Sequence, residues 1–91
     1  MSHTVTDKKR LQARVRRIEG QVQALGKALQ SEAECMSVLQ QIASIRGAVN
    51  GLMDEILEAH LREHVAAPNL DEAARQQGAD EVIAAIRRYA K

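Results

Sequence analysis

The sequence predicts an all-α fold, an antiparallel αα-hairpin of two long helices followed by a short third helix. Three observations carry this. Apolar residues recur at alternating spacings of four and three over two long stretches, the period of a helix that keeps one stripe buried. No stretch shows a strand pattern. The chain holds one aromatic residue, Tyr89, and no Phe or Trp among its 45% hydrophobic residues, a composition suited to helix-on-helix packing rather than a β-sandwich.

Met1 to Val5 reads as a short tail carrying His3. The first helix starts near Thr4 or Thr6, with Asp7 favourably placed in its first turn against the helix dipole. Its stripe is Leu11, Val15, Ile18, Val22, Leu25 and Leu29. The second helix spans Ser31 to Val65, opened by a capping box between Ser31 and Glu34 and stopped by Pro68. Its stripe, Val38, Ile42, Ile45, Val49, Leu52 and Ile56, matches the first, so the two are expected to pair as a hairpin. Gly20, Gly26, Gly47 and Gly51 each cost roughly 1 kcal/mol relative to Ala inside a helix, so close backbone approach is expected there. After Pro68, Asn69 caps a short turn containing Asp71 and Glu72, and Gly78 interrupts it. The third helix then runs from about Asp80 to Tyr89, with Val82, Ile83 and Ile86 on one face.

At 91 residues the chain makes one domain, residues 1–91, small enough to depend on association for a sizeable core. One cysteine excludes an intrachain disulfide, and no apolar run resembles a signal peptide or a membrane span. A cytoplasmic location with no membrane partner is therefore expected. The net charge of +1 hides an uneven distribution: residues 1–30 hold seven basic and two acidic side chains (+5), and residues 31–65 hold two and six (−4). Such polarity suits either a polyanion on the basic face or mutual neutralisation of the two helices.

His60 and His64 stand four residues apart, which makes their imidazoles neighbours on one helix face, able to share a metal ion or to sit solvated beside Glu63. Cys35 lies in the first turn of the same helix, roughly 37 Å from His60 at 1.5 Å per residue. The two cannot meet within one copy. Antiparallel packing of two such helices brings Cys35 of one chain to His60 and His64 of its partner, giving a two-fold dimer two identical sites. The hairpin also delivers His3 near His60 and His64 of its own chain. A thiolate with several nitrogens suits Co, Ni, Cu(II) or Zn, whereas Cu(I) prefers a second sulfur. Taken alone, Cys35 also reads as a small hydrophobe or a reactive thiol.

Lys8, Lys9, Arg10, Arg14, Arg16 and Arg17 crowd six basic side chains into ten positions. Arg10, Arg14 and Arg17 form a stripe rotated about 100° from the apolar row, suited to phosphate contacts or to solubility. There is no helix-turn-helix or zinc finger, so DNA would meet a flat basic face on an oligomer. No Ser-His-Asp set, phosphate-cradling loop or H-E-x-x-H motif points to catalysis. A small helical enzyme needs a basic pocket inside the bundle, and these basic residues fall on an outward stripe.

The segments RLQARVRRIEGQV and ECMSVLQQIASIRGAVNGLMDEILEAHLREH closely resemble the CsoR/RcnR family of small all-helical bacterial repressors, over most of residues 1–65. The resemblance implies a homotetramer, a dimer of dimers, that releases operator DNA when an inducer binds at the Cys35 site. Copper(I) sensors of the family carry a cysteine where this chain has His64, and persulfide sensors carry one where it has His60. Formaldehyde sensors pair the cysteine with an N-terminal proline, where this chain has Ser2. Nickel/cobalt sensors use ligands matching His3, Cys35, His60 and His64 and begin with a similar MSHT, although VRRIEGQV looks more like the formaldehyde branch. The resemblance thus implies Ni(II) or Co(II) as inducer, Zn(II) also fitting the donors, and a metal efflux gene as target. A formaldehyde-responsive repressor acting through Cys35 is the alternative.

Overall fold

The computed structural model describes residues 5–89, so His3 lies outside the described residues. These form three helices and no strand: α1 (Val5–Gln30), α2 (Cys35–His64) and α3 (Glu72–Tyr89). Two compact units divide the chain, one reaching from α1 through Met53 of α2, the other from Asp54 through α3.

In the first unit α1 and α2 run antiparallel. Gln21 Nε2 donates to Ser44 Oγ at 3.1 Å, and Arg14 lies over Gly51, so residue numbers fall along one helix as they rise along the other. The expected stripes are present but split. Leu11, Ile18 and Leu25 of α1 and Val38, Ile45 and Leu52 of α2 are half-buried along the seam. Val15, Val22, Leu29, Ile42, Val49 and Ile56 remain 36–61% exposed. One period of alternating four and three therefore serves two surfaces, and among the described residues no hydrophobic side chain is fully buried.

The α1–α2 connection corrects the proposed capping box. Ser31 belongs to the end of α1: its amide donates to Lys27 O at 3.0 Å and its hydroxyl to Ala28 O at 3.2 Å. Glu32 adopts φ 56°, with its amide on Leu29 O and that of Ala33 on Ala28 O, the bond pattern of a Schellman cap. An L-residue in this left-handed position costs about 1–2 kcal/mol, which the two bonds offset. The carbonyl of Glu34 accepts from Val38, so α2 begins at Cys35, without a reciprocal Ser31–Glu34 pair.

The third helix also differs from expectation. Asp71, not Asn69, caps it: the Asp71 carboxylate accepts from the Ala74 amide at 2.8 Å and its carbonyl from Arg75 at 3.0 Å. Gly78 does not interrupt α3 but sits inside it, the one described residue in the buried class. A Cβ there would collide with the carbonyl oxygen of His64 and approach His64 Cβ to 2.9 Å. Close backbone approach is thus the property of Gly78. Gly20, Gly26 and Gly47 face nothing within 4 Å, contrary to expectation, and Gly51 faces a side chain.

Candidate metal centre

The second unit brings the end of α2 against α3. Helical spacing of four stacks His60 and His64, with ring centroids 4.5 Å apart and planes tilted by 37°. Both are half-buried. With Ala74, Gln77, Gly78 and Glu81 they line a cleft of about 390 Å³. The absent Gly78 side chain lets α3 come close enough to His64 to form one wall. Three residues on, the same face of α3 presents Glu81, whose Oε1 lies 3.5 Å from His60 Nε2.

Arg75 fixes the connector between α2 and α3. Its guanidinium donates to the carbonyls of Val65, Ala67 and Leu70, the latter two at 3.2 Å. Three connector carbonyls thereby find one donor group, and the first turn of α3 is tied to the chain that leaves α2. The cleft wall is held in place from both sides of the connector.

His60 Nε2 makes no hydrogen bond, and the Glu81 carboxylate beside it stands at ion-pair rather than hydrogen-bond distance. His64 Nε2 has Glu63 Oε2 at 3.8 Å. Two imidazoles on one face, one with an orphaned ring nitrogen, fit the start of a first-row transition-metal site. Glu81 stands at this same nitrogen, so its carboxylate is placed to share an ion with it or, were the other ring nitrogen to take the metal, to orient the imidazole. The set is incomplete in one chain: among the described residues no three His, Cys, Asp or Glu side chains assemble to hold a metal. Cys35, an exposed free thiol at the opposite end of α2, is not among the cleft residues.

Of the six basic residues proposed for DNA, Lys8, Lys9, Arg10, Arg16 and Arg17 are exposed. Arg10 pairs with Asp7 at 3.5 Å. Arg14 is half-buried, facing α2 rather than the outward stripe. The roles of Gly78, Arg75 and Glu81 were not foreseen, because the third helix was expected to begin only at about Asp80, after a break at Gly78, whereas it begins at Glu72. The available signal was the spacing Ala74, Gly78, Val82, Ala85 after the Asp71 cap, which keeps one face continuous through the glycine. No described helix is long and apolar enough to cross a membrane.

A family model for the metal-sensitive transcriptional repressor matches residues 7–88. The chain is 54% identical over its whole length to a protein encoded in the bioA 5′ region of Serratia marcescens, itself fully covered. It is 50% identical, again over all of both chains, to the transcriptional repressor RcnR of Salmonella typhimurium. Among solved structures, a variant of the formaldehyde-responsive regulator FrmR from Salmonella enterica serovar Typhimurium superposes with a TM-score of 0.87 at 45% identity, over 97% of this chain and 99% of that one. The copper-sensing repressor CsoR with Cu(I) from Geobacillus thermodenitrificans gives 0.85 at 28% identity, over 100% and 94%.

Proposed function

The chain belongs to the metal-sensitive transcriptional repressor family, and from that premise we propose that it is a nickel- or cobalt-responsive repressor. Its metal-free homotetramer holds operator DNA in the cytoplasm, and Ni(II) or Co(II) releases it to free a metal efflux gene. The observation that carries the reading is the His60–His64 pair, with the unbonded His60 Nε2 facing the cleft wall at Glu81. Cys35 begins α2, about seven turns before His60, so a second copy supplies the thiolate and His3 joins from the N-terminal segment. Cys35 of one copy with His3, His60 and His64 of another would hold the ion, which would supply the multivalent positive charge that these donors share. Zn(II) satisfies the same donor set. No catalytic role is assigned.

Surface area supports assembly. A folded monomer of 10.0 kDa exposes about 5,200 Å² on the usual mass scaling, whereas this chain exposes 7103 Å². The difference is the size of area that stable association removes, and the exposed row of Val15, Val22, Ile42 and Val49 is where a second copy gains most. Pairing two hairpins there, then two such dimers, makes the dimer of dimers. DNA lies along Lys8, Lys9, Arg10, Arg16 and Arg17, with Arg14 as a further contact. Metal lowers DNA affinity only if it binds the DNA-free state more tightly.

A second reading is favoured by the likeness to the formaldehyde-responsive regulator and by the exposure of Cys35: the thiol reacts with an aldehyde and no metal is needed. Fluorescence anisotropy on DNA from upstream of the gene separates the two. Ni(II) or Co(II) should weaken binding at least tenfold for the natural protein and less than twofold for His64→Leu, a coupling of ordinary size. A His64→Leu protein that responds fully sinks the ligand set. Release by formaldehyde but not by metal selects the second reading.

A further inference from the structure

Two short apolar rows of the α1–α2 hairpin lie outside its seam, Val15 and Val22 on α1 and Ile42 and Val49 on α2, all exposed. A charged residue interrupts each. Glu19 follows Val15 by four and precedes Val22 by three, and Arg46 stands in the same way between Ile42 and Val49. At 100° per residue each charge falls within about 60° of the apolar residues on either side of it, so it belongs to the row rather than to a separate polar face. The bond from Gln21 to Ser44 registers the two antiparallel helices, and two residues from it in the same direction, Glu19 and Arg46 stand at about one level. Both side chains are exposed, and neither makes a hydrogen bond or ion pair with another described residue. An acid and a base thus sit unpaired within the apolar rows.

We infer that Glu19 of one copy pairs with Arg46 of a second across the dimer interface, the two pairs flanking the two-fold axis that gives Cys35 its partner histidines. The inference rests on the shared-site reading above and names the charges that join its two halves. A two-fold interface matches residues reciprocally, so a patch with one acid and one base at the same level is complementary to itself. Placing Cys35 against His60 of a second copy brings Arg46 level with that copy's Val49, an equal number of steps along α2 from each end. The second copy's Arg46 and the Glu19 level with it then lie three residues away, about 4.5 Å along the axis. Glutamate and arginine side chains span that offset. The same register draws the two arginines together near the axis, where they repel unless each meets a carboxylate. Covered by a second copy, either charge alone is costly, whereas the pair satisfies both.

Charge reversal distinguishes a pair between copies from one within a copy. Full-length, metal-free Glu19→Arg and Arg46→Glu proteins are run by sedimentation velocity, separately and mixed one to one. Each variant alone sets like charges against each other across the interface, twice by symmetry, and should associate at least about tenfold more weakly than the natural protein. In the mixture both pairs between copies regain opposite charges, while each chain still carries two like charges of its own. The mixture should therefore recover the natural sedimentation, which also shows that the variants fold. Single variants that associate like the natural protein, or a mixture that stays as dissociated as its components, overturns the pair. Ile42→Glu keeps the two readings apart. If it dissociates the protein while the charge variants do not, only the pair is removed; if it too sediments like the natural protein, the interface on these rows fails and the pair with it.

Discussion

Gly78→Ala is expected to leave the hairpin folded and to weaken the proposed nickel response. Two effects of opposite sign meet at this position. Alanine favours the helical state of α3 by about 1 kcal/mol over glycine. Against that, its Cβ would overlap the His64 carbonyl oxygen and stand 2.9 Å from His64 Cβ, both on a neighbouring helix end that cannot rotate aside. Overpacking against fixed atoms costs typically 1–3 kcal/mol and more where backbone must move, so the steric term wins. α3 has to retreat from α2, taking with it the cleft wall and Glu81. Nickel affinity should fall 10- to 100-fold, the usual cost of losing the support around metal ligands. Circular dichroism should still show the α1–α2 helices, and metal-free DNA binding should persist. Gly20→Ala, with nothing within 4 Å, is the control and should be neutral or stabilising. Natural nickel affinity in the Gly78→Ala protein contradicts the role assigned to α3.

Ile42→Glu is expected to take the proposed tetramer apart. Ile42 is 46% exposed in the isolated chain, so a carboxylate there is solvated and the single chain tolerates it. In the proposed assembly a second copy would cover the exposed apolar row to which Ile42 and, two turns along α2, Val49 belong. An unpaired charge buried there costs several kcal/mol per copy, and a two-fold interface pays twice because each residue appears on both sides. Sedimentation velocity should show a species smaller than the natural one, and DNA affinity should drop more than 100-fold as the basic faces separate. An Ile42→Glu protein that sediments like the natural one places the interface elsewhere.

These two positions show how far the sequence carries. The helical period located α1 and α2 and their pairing, because half of each stripe, Leu11, Ile18 and Leu25 against Val38, Ile45 and Leu52, lies in the seam. The same period could not say that Ile42 and its row face outward, since a helix buried against its own chain and one buried against a copy have the same pattern. Ser31 and Glu34 matched a capping box by spacing. The chain instead turned left-handed at Glu32, which let Ser31 close α1 through Ala28 O. Gly78 read as a break because glycine disfavours helices locally; only the approach of His64 explains why it is kept within one. Of the candidate site, His60 and His64 were legible from a local spacing of four. Glu81 was not, because it reaches His60 through the packing of α3 across a connector that Arg75 holds.

The most direct test of the account is an absorption titration of the reduced protein with Ni(II) or Co(II), run beside Cys35→Ala and His64→Leu. The central claim is that Cys35 of one copy and the histidine pair of another bind one ion. It predicts a thiolate-to-metal charge-transfer band that saturates at one metal per chain, disappears in Cys35→Ala and is weakened or displaced in His64→Leu. The same absence of a band in the natural protein as in Cys35→Ala, with a Cys35-dependent mass increase on formaldehyde treatment, contradicts it and leaves the aldehyde-reactive thiol as the function of this site.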